Sequence, residues 1–523
     1  MKTVCLRRGW ILALATLMLG ASVAQAVGAY FQVRKIDDKW WLIDPHGHRF
    51  LSKGVNTVQF AGDNIKGTNR APYGEANQAK YGSPSAWQKA VAKRLIGWGF
   101  NTLGAWSDEE VAQVLVDGKH LAYAPVLDLG GAYVGQNAAG RNVWTHGLFP
   151  DVFDPVFAKV ALSVAYQRCA PRKRDNCLLG WFTDNELRWT GDWRGSEELL
   201  TLFLALPADA PGRQAAISLL RQRHGEISKF NDVWKTSFTS WRQVDRAGPI
   251  KQPVTLPLPW FPNQALERGA NQSDPKRAAF IGDCDAFLAQ LADRYFRITY
   301  KAVKAADPNH LVLGCRFAYI PPAPVVAAAA KYLDVISFNC YAPDPGGVID
   351  AYSTFGKPLI IGEFAFRGAD AGLPNTQGAG PVVKTQTDRA AAYMRYASTA
   401  LSKPNVIGYH WFEHVDEPKE GRFDGENSNY GVVNVHDEPY RALTEAMTKL
   451  NALAETVHGK PADEGSPKRF RQWSDATGRF HLDAAFGGHQ GANVILVKRD
   501  GTKVTLSISK LSDADREWVK AHP

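Results

Sequence analysis

Short apolar segments alternate with longer amphipathic segments through most of the chain. The amphipathic segments, such as Ala86–Ile96 and Cys284–Ala306, have helical periodicity. The predicted strands are Phe50–Val55, Thr102–Ala105, Ala122–Leu127, Leu178–Phe182, Leu311–Cys315, Val335–Phe338, Leu359–Ile361 and Val406–Tyr409. Strands that are apolar on both faces and separated by helices are typical of a parallel sheet. Over about 420 residues, and without a GxGxxG or P-loop motif, this pattern predicts an α/β fold of the closed (β/α)8 TIM-barrel type.

Two additions to the repeating pattern are visible. Before the first barrel strand, Lys39–Ile43 and Arg49–Ser52 flank a polar turn and predict a hairpin. After the fourth strand, residues 190–280 form a long insertion with helices predicted at Ser196–Ala205, Arg213–His224 and Ile227–Trp234. Insertions that follow barrel strands build the face where substrates bind, so we expect this one to form a wall of the binding cleft.

The helical period stops near residue 455. Residues 456–468 carry Gly, Pro and charged side chains, as a linker does. Within residues 469–523, the segments Phe480–Ala485, Asn493–Lys498 and Lys503–Ile508 alternate between polar and apolar positions. The pattern predicts a small all-β domain attached to a large domain of residues 27–455.

The first 26 residues resemble an export signal. Three basic residues precede the short apolar stretch Trp10–Leu19, and small residues around Ala26 form a cleavage site. We expect export to the periplasm or the extracellular space, with a retained N-terminal anchor as the alternative. After cleavage, no remaining segment is long enough to span a membrane. An odd number of cysteines then remains, of which Cys169 and Cys177 are close enough in sequence to form a disulfide.

The charge balance and the ligand-type residues exclude several functions. The 61 basic and 52 acidic residues give a formal charge of +9, without a long basic run, so nucleic acid is not a predicted partner. No Cys or His spacing is typical of a zinc site, and we expect neither a metal nor another cofactor.

Two carboxylates directly follow apolar strands. The fourth strand continues into Asp184-Asn185-Glu186, and the seventh continues through Gly362 into Glu363. A carboxylate in such a position is costly to desolvate unless it is paired or used. Each could be a structural ion-pair partner. Together, at the carboxyl ends of two strands, they predict the acid and the nucleophile of glycosidic bond cleavage.

Asn185-Glu186 and Glu363 resemble the strand-four and strand-seven motifs of the retaining (β/α)8 glycosidases of clan A. More narrowly, residues 30–455 resemble glycoside hydrolase family 50, the β-agarases. The segments that carry this resemblance are Trp40–Pro45, Gly54–Asn56, Gly99–Ser107, Phe149–Pro155, Asp184–Trp189 and Asp424–Asn427. The resemblance implies that Glu186 is the acid/base, that Glu363 is the nucleophile, and that a β-galactoside-containing polysaccharide is the substrate.

Further strand-end residues are candidates for substrate binding. By resemblance, Asn185 holds the 2-hydroxyl of the reacting sugar and Tyr341 hydrogen-bonds the nucleophile. Trp411 offers an apolar ring to a sugar. The remaining candidates at strand ends are Asn56, Trp106, Arg316 and Asn339. The alternatives are a core position for each tryptophan and a plain ion pair for the arginine.

The C-terminal segment resembles the SHD-type domain, an SH3-like barrel first named in an endocytic adaptor. Arg471–Gly478, Val494–Lys498 and Leu511-Ser512 carry this resemblance. Because that domain binds short peptides in the adaptor, the resemblance implies a peptide or protein partner. A polysaccharide partner, or none, stays open.

The sequence thus predicts an exported retaining β-glycosidase that acts by a two-Glu double displacement, with agarase-like specificity. Two alternatives remain. The same mechanism could act on another β-linked glycan, such as a mannan or a glucan. The chain could also be a non-catalytic glycan-binding protein. Exo and endo action are not distinguished.

Overall fold

Parallel strands with intervening helices form the larger part of the protein, and an antiparallel sheet forms its C-terminal part. The computed structural model describes residues 29–136, 149–254, 275–318, 320–460, 471–478, 480–498 and 502–520. The predicted signal peptide and most of the predicted linker lie outside these ranges.

The strands agree closely with the sequence pattern. In chain order they are β1 Gln32–Ile36, β2 Lys39–Ile43, β3 Arg49–Phe50, β4 Ser52–Val55, β5 Thr102–Leu103, β6 Ala122–Tyr123, β7 Gly180–Phe182, β8 Leu311–Gly314, β9 Ile336–Asn339, β10 Leu359–Phe364, β11 Arg367–Gly368, β12 Val382–Val383, β13 Val406–Trp411, β14 Arg471–Ser474, β15 His481–Gln490, β16 Asn493–Lys498 and β17 Lys503–Ser507. All eight predicted parallel strands are present.

The parallel strands pair in a regular order. Strands β6-β5-β4-β13-β10-β9 form one sheet and β7-β8 another. Parallel bridges from Tyr123 to Leu178 and from Val126 to Phe182 join β6 to β7. A bridge from Phe317 to Phe338 joins the end of β8 to β9. Each strand therefore pairs with the next one in the chain, and the last pairs with the first.

The helices are α1 Pro72–Tyr81, α2 Pro84–Gly97, α3 Leu129–Gln136, α4 Pro155–Arg168, α5 Leu199–Leu204, α6 Pro211–His224, α7 Ile227–Trp234, α8 Trp241–Arg246, α9 Pro275–Ala306, α10 Ala323–Tyr332, α11 Gly346–Ser353, α12 Gln386–Ser402, α13 Arg441–Asn451, α14 Ala454–Gly459 and α15 Asp513–Lys520. Local sequence explains several starts. Ser83 and Asp154 cap α2 and α4, each followed by a proline at the first helical position. Thr385 and Asp388 form a capping box on α12.

The insertion after β7 is largely helical, as predicted. Helices α5, α6 and α7 pack against the long helix α9, and α8 packs against α6. Helix α9 begins earlier than the predicted Cys284. The buried carboxylate of Asp283 on α9 fixes this packing. It accepts hydrogen bonds from Arg223 Nε (2.7 Å) and Trp234 Nε1 (2.9 Å), and its other contact is His224 Nε2 at 2.8 Å. The Pro-rich part of the insertion lies mostly outside the described residues.

The hairpin before the barrel strands is confirmed, and the disulfide is not formed. Strands β2 and β3 pair antiparallel, and Asp44 Oδ1 accepts from the amides of His46 and His48 within the turn. Cys169 and Cys177 are free thiols, so the sequence separation that allowed a bridge does not produce one. Within the described ranges, no helix is long and apolar enough to cross a membrane.

The C-terminal part is a four-stranded antiparallel sheet in the order β14-β15-β16-β17, followed by α15. Trp473, Leu496 and Val519 lie in its small core. The indole of Trp473 donates to the carbonyl oxygen of Ala484 (2.9 Å), which ties β14 to β15. The three strands predicted in this part of the chain are confirmed as β15, β16 and β17, and β16 pairs antiparallel with β17.

Candidate active site

The two carboxylates lie at the carboxyl ends of β7 and β10. Glu186 follows β7 by four residues, and its amide donates to the carbonyl oxygens of Cys315 and Arg316, both at 3.2 Å. These bonds hold Glu186 in the left-handed backbone region (φ 51°), which is uncommon for residues other than glycine. Glu363 lies within β10, because that strand continues to Phe364 and pairs Glu363 with Asn339.

Arg316 connects the two strand ends. This fully buried side chain follows β8. Its Nη2 donates to Glu363 Oε1 (2.5 Å), and its Nε donates to Asn185 Oδ1 (2.9 Å). A buried guanidinium needs such partners, and its planar shape lets it serve both at once. Arg316 therefore fixes Glu363 relative to the segment that carries Glu186.

Asn339 and Tyr341 complete the network around the carboxylates. Asn339 Nδ2 donates to Glu186 Oε1 (2.9 Å) and to Asn185 Oδ1 (3.2 Å). The Tyr341 hydroxyl donates to Glu363 Oε2 (2.6 Å). Burial, and then the charge of Glu363, raise the pKa of Tyr341, which keeps the phenol a hydrogen-bond donor. Each oxygen of Glu363 thus accepts from a different residue.

The environment of Glu186 favours its protonated form. Burial and the negative charge of Glu363 raise the pKa of Glu186 from its ordinary 4.5 to about 7, against the opposing effects of Asn339, Arg194 and Arg316. A carboxylic acid with a pKa near neutrality can donate a proton to a leaving group and recover it from water. The pair thus combines a proton donor with a carboxylate held by two hydrogen bonds.

Seven of the nine predicted site residues form this one network, namely Asn56, Asn185, Glu186, Arg316, Asn339, Tyr341 and Glu363. Trp106 lies at its edge, 38% exposed, with the Arg316 guanidinium 4.7 Å from its ring centroid. Asn56 is fully buried, and its Oδ1 accepts from Arg316 Nη1 (3.4 Å). Its Nδ2 donates to the carbonyl oxygens of Gly362 (2.9 Å) and Trp411 (3.1 Å), so it joins strand ends.

The structure does not bring Trp411 to the cleft. Its ring is fully buried, and its Nε1 donates to the carbonyl oxygen of Tyr430 (2.8 Å). The Arg389 guanidinium lies 5.2 Å from the ring centroid, and Phe364 packs against the ring at 5.4 Å. Because these groups cover it, the indole offers no face to a sugar. The expectation of a stacking role for Trp411 is corrected accordingly.

Sequence reasoning missed a buried acid beside Glu186. Asp184 accepts from the amide of Gly130 (2.7 Å) and from the hydroxyl of Tyr295 on α9. Burial, and then the charge of Asp128, raise the pKa of Asp184 to about 8. The position of Asp184 after an apolar strand was a visible signal, whereas its partner on a distant helix was not.

A second missed group surrounds Arg422, in the segment after β13. Its guanidinium contacts Glu417 Oε1 (3.1 Å), Glu426 Oε2 (2.8 Å) and Asp424 Oδ2 (3.0 Å), with Glu413 at 3.8 Å. Glu413 and Glu417 are fully buried, and burial with mutual repulsion raises the pKa of Glu417 to about 10. We call this group the Arg422 cluster.

The Arg422 cluster is connected to the site through aromatic rings. Arg422 lies 5.6 Å from the ring of Phe412, which packs edge-on against Tyr341. Tyr341 in turn holds Glu363. In the part of the chain that the structure describes, no group of three or more His, Cys, Asp or Glu side chains is arranged to hold a metal ion.

Comparisons with known proteins agree with this architecture. The chain is 28% identical to β-agarase B of Vibrio sp. (strain JT0107), covering 81% of this chain and 48% of the agarase. It is 29% identical to β-agarase A of the same strain, covering 79% and 44%. The chain therefore spans about half the length of these curated relatives.

Solved structures with the same fold include an exo-β-agarase, with a TM-score of 0.67 at 25% identity, covering 83% of this chain and 66% of that one. PfGH50B matches with a TM-score of 0.66 at 25% identity, covering 83% and 67%. The family model of SLA1 homology domain 1 matches residues 461–523. The predicted resemblance to β-agarases of family 50, with a C-terminal SHD-type domain, is confirmed.

Proposed function

We propose that this chain is an exported retaining β-glycosidase that hydrolyses a β-galactoside-containing polysaccharide of the agarose type. The observation that carries the proposal is the pair formed by the half-buried Glu186 and the buried Glu363, which are connected through Asn185, Arg316 and Asn339. The two carboxylates have different surroundings, as an acid and a nucleophile require. The substrate class rests on the similarity to β-agarases.

In the first step, the carboxylate of Glu363 attacks the anomeric carbon while Glu186 transfers its proton to the departing glycosidic oxygen. Arg316 and Tyr341 hold the two oxygens of Glu363 and orient it for attack. Glu363 loses its negative charge when it bonds to the sugar. The pKa of Glu186 then falls, because that charge is one of the two main influences that raise it.

In the second step, Glu186 is the base. It deprotonates a water molecule that attacks the glycosyl–Glu363 ester, and the sugar leaves with retained configuration. The route requires carboxyl groups about 5–5.5 Å apart, whereas an inverting enzyme holds them about 6.5–9.5 Å apart. No resident metal or cofactor takes part in the proposed steps.

We further propose that residues 27–455 form a closed (β/α)8 barrel, that residues 456–468 are a linker, and that residues 469–523 form an SH3-like barrel. The pairing of each parallel strand with the next, and of the last with the first, supports the closed barrel. The basic residues and the apolar stretch at the N-terminus support a signal peptide cleaved after Ala26. A peptide is the partner class that the SHD-type resemblance favours for the C-terminal domain.

A panel of β-linked polysaccharides, with agarose, mannan and glucan, tests the substrate. Wild type and Glu363→Ala are compared, with product sizes followed over time to separate exo from endo action. Release of oligosaccharides from agarose by the wild type, and not by Glu363→Ala, supports the proposal. Activity only on mannan or glucan keeps the mechanism and overturns the substrate. Binding without turnover supports the glycan-binding alternative.

Chemical rescue tests the two roles separately. With an activated aryl glycoside and azide, Glu363→Ala is expected to form the glycosyl azide of inverted configuration, because azide replaces the missing nucleophile. Glu186→Ala is expected to form the azide of retained configuration, because azide then attacks the glycosyl-enzyme. Exchange of these two outcomes would contradict the assignment.

A further inference from the structure

Trp193 is an exposed tryptophan on a tight turn close to Glu186. The residue is 59% exposed, although large apolar side chains are usually covered. Hydrogen bonds from the amide of Asp192 to the carbonyl of Gly195 (2.9 Å), and from the amide of Gly195 back to Asp192 (3.1 Å), close the turn. The ring is therefore presented on a defined backbone.

Arg194 supports the ring from one face. Its guanidinium carbon lies 4.5 Å from the Trp193 ring centroid, which is a cation–π contact. The same guanidinium donates to the buried carboxylate of Asp192, with Nη2 at 2.6 Å from Oδ2. Its Nη1 donates to the carbonyl oxygen of Glu186 (2.8 Å). One side chain thus connects the exposed indole to the backbone of the acid.

The rest of the turn is also held. The buried guanidinium of Arg188 donates to the carbonyl oxygens of Gly195 (2.6 Å) and Glu197 (2.5 Å). Fixing an exposed aromatic ring in this way lowers the entropy that a ligand must remove on binding. Such a ring is suited to contact with the apolar face of a sugar.

Two exposed tryptophans therefore border different members of the carboxylate pair. Trp106 packs on Arg316, which holds Glu363. Trp193 packs on Arg194, which holds the backbone of Glu186. In the proposed reaction Glu363 attacks the reacting sugar, while Glu186 protonates the oxygen of the sugar that departs.

We propose that Trp193 is the stacking platform for the leaving-group sugar. The inference rests on the proposed function, because Glu186 must be the acid for its side of the site to receive the departing unit. The ligand is a pyranose ring that presents C–H bonds to the indole. The consequence is a preference for substrates whose leaving group is a further sugar.

The test compares two substrates with the same terminal unit. One is an agarose-derived oligosaccharide, and the other is the β-glycosyl fluoride of the same terminal unit, whose leaving group is a single atom with no ring to stack on the indole. For Trp193→Ala, the ratio of kcat/KM on the oligosaccharide to kcat/KM on the glycosyl fluoride is expected to fall about three- to ten-fold. Trp193→Phe is expected to recover most of that ratio, because it keeps an aromatic face.

The control is Tyr166→Ala, which removes an aromatic residue of similar exposure (54%) on helix α4. Its substrate ratio is expected to match wild type, and thermal unfolding checks that all variants fold. An unchanged ratio in Trp193→Ala overturns the platform role alone, provided that Glu363→Ala still abolishes turnover. If the wild type is inactive on every glycan, the proposed function is overturned, and the platform role of Trp193 is overturned with it.

Discussion

Replacing Glu363 by Gln should lower the pKa of Glu186, because this change removes a neighbouring negative charge and keeps the size of the side chain. In the wild type, burial and the charge of Glu363 raise the Glu186 pKa to about 7 from 4.5. Two charges about 5.5 Å apart, at an effective dielectric constant of about 20, interact by about 3 kcal/mol, or about two pH units.

That figure is an upper value for the effect of the charge, since burial is the larger cause of the raised pKa. In Glu363→Gln, Arg316 also loses its negatively charged partner. Its positive charge is then less compensated and lowers the pKa of Glu186 further. We therefore expect the pKa of Glu186 to fall by about one to two pH units, and to remain above its ordinary value.

The assay is a ¹³C NMR titration of protein labelled at the glutamate carboxyl carbons. The Glu186 signal is assigned by its absence from the double variant Glu186→Gln/Glu363→Gln. In the wild type, the raised pKa of Glu186 predicts that kcat/KM decreases as the pH rises through about 7, because Glu186 must be protonated for the first step. An unchanged or higher pKa in Glu363→Gln would refute the electrostatic coupling on which the two roles depend.

Three further substitutions test the surroundings of the pair. Tyr341→Phe removes a hydrogen bond to the nucleophile, and we expect kcat to fall about 10- to 100-fold with normal folding, measured by steady-state kinetics. Arg422→Met removes the counter-charge of Glu426 and leaves the buried, protonated Glu417 without its guanidinium partner, and we expect a loss of about 1–3 kcal/mol in the free energy of unfolding by denaturant titration. Gly54→Ala places a Cβ 2.3 Å from His410 Cδ2, and the same titration should show a loss of at least about 1–3 kcal/mol.

Much of the fold was predictable, because each parallel strand is a short apolar segment bounded by polar residues. The strand ends were harder to predict. Strand β10 continues past the predicted Ile361, since Glu363 and Phe364 still pair with their neighbours Asn339 and Trp411. Side-chain polarity alone indicated a stop at the first polar residue, whereas backbone pairing across the sheet decides where a strand ends.

The site was predictable where chemistry and position coincide, and less so where distant segments meet. Glu186 and Glu363 combine a carboxylate with a preceding apolar strand, and both signals are local. The burial of Trp411 depends on Tyr430 and Arg389, which approach from other segments. The periodicity of apolar residues along the chain does not indicate which distant segments cover a side chain. Tyr295, the partner of Asp184, lies on α9, more than a hundred residues away in sequence.

The most direct test of the central assignment is the anomeric configuration of the first product. The reaction with an agarose-derived oligosaccharide is followed by ¹H NMR from the first minutes, before mutarotation, for wild type and Glu363→Ala. We predict that the β-anomer appears first with wild type and that Glu363→Ala releases no product. Initial release of the α-anomer, or undiminished turnover by Glu363→Ala, would contradict the two-Glu double displacement.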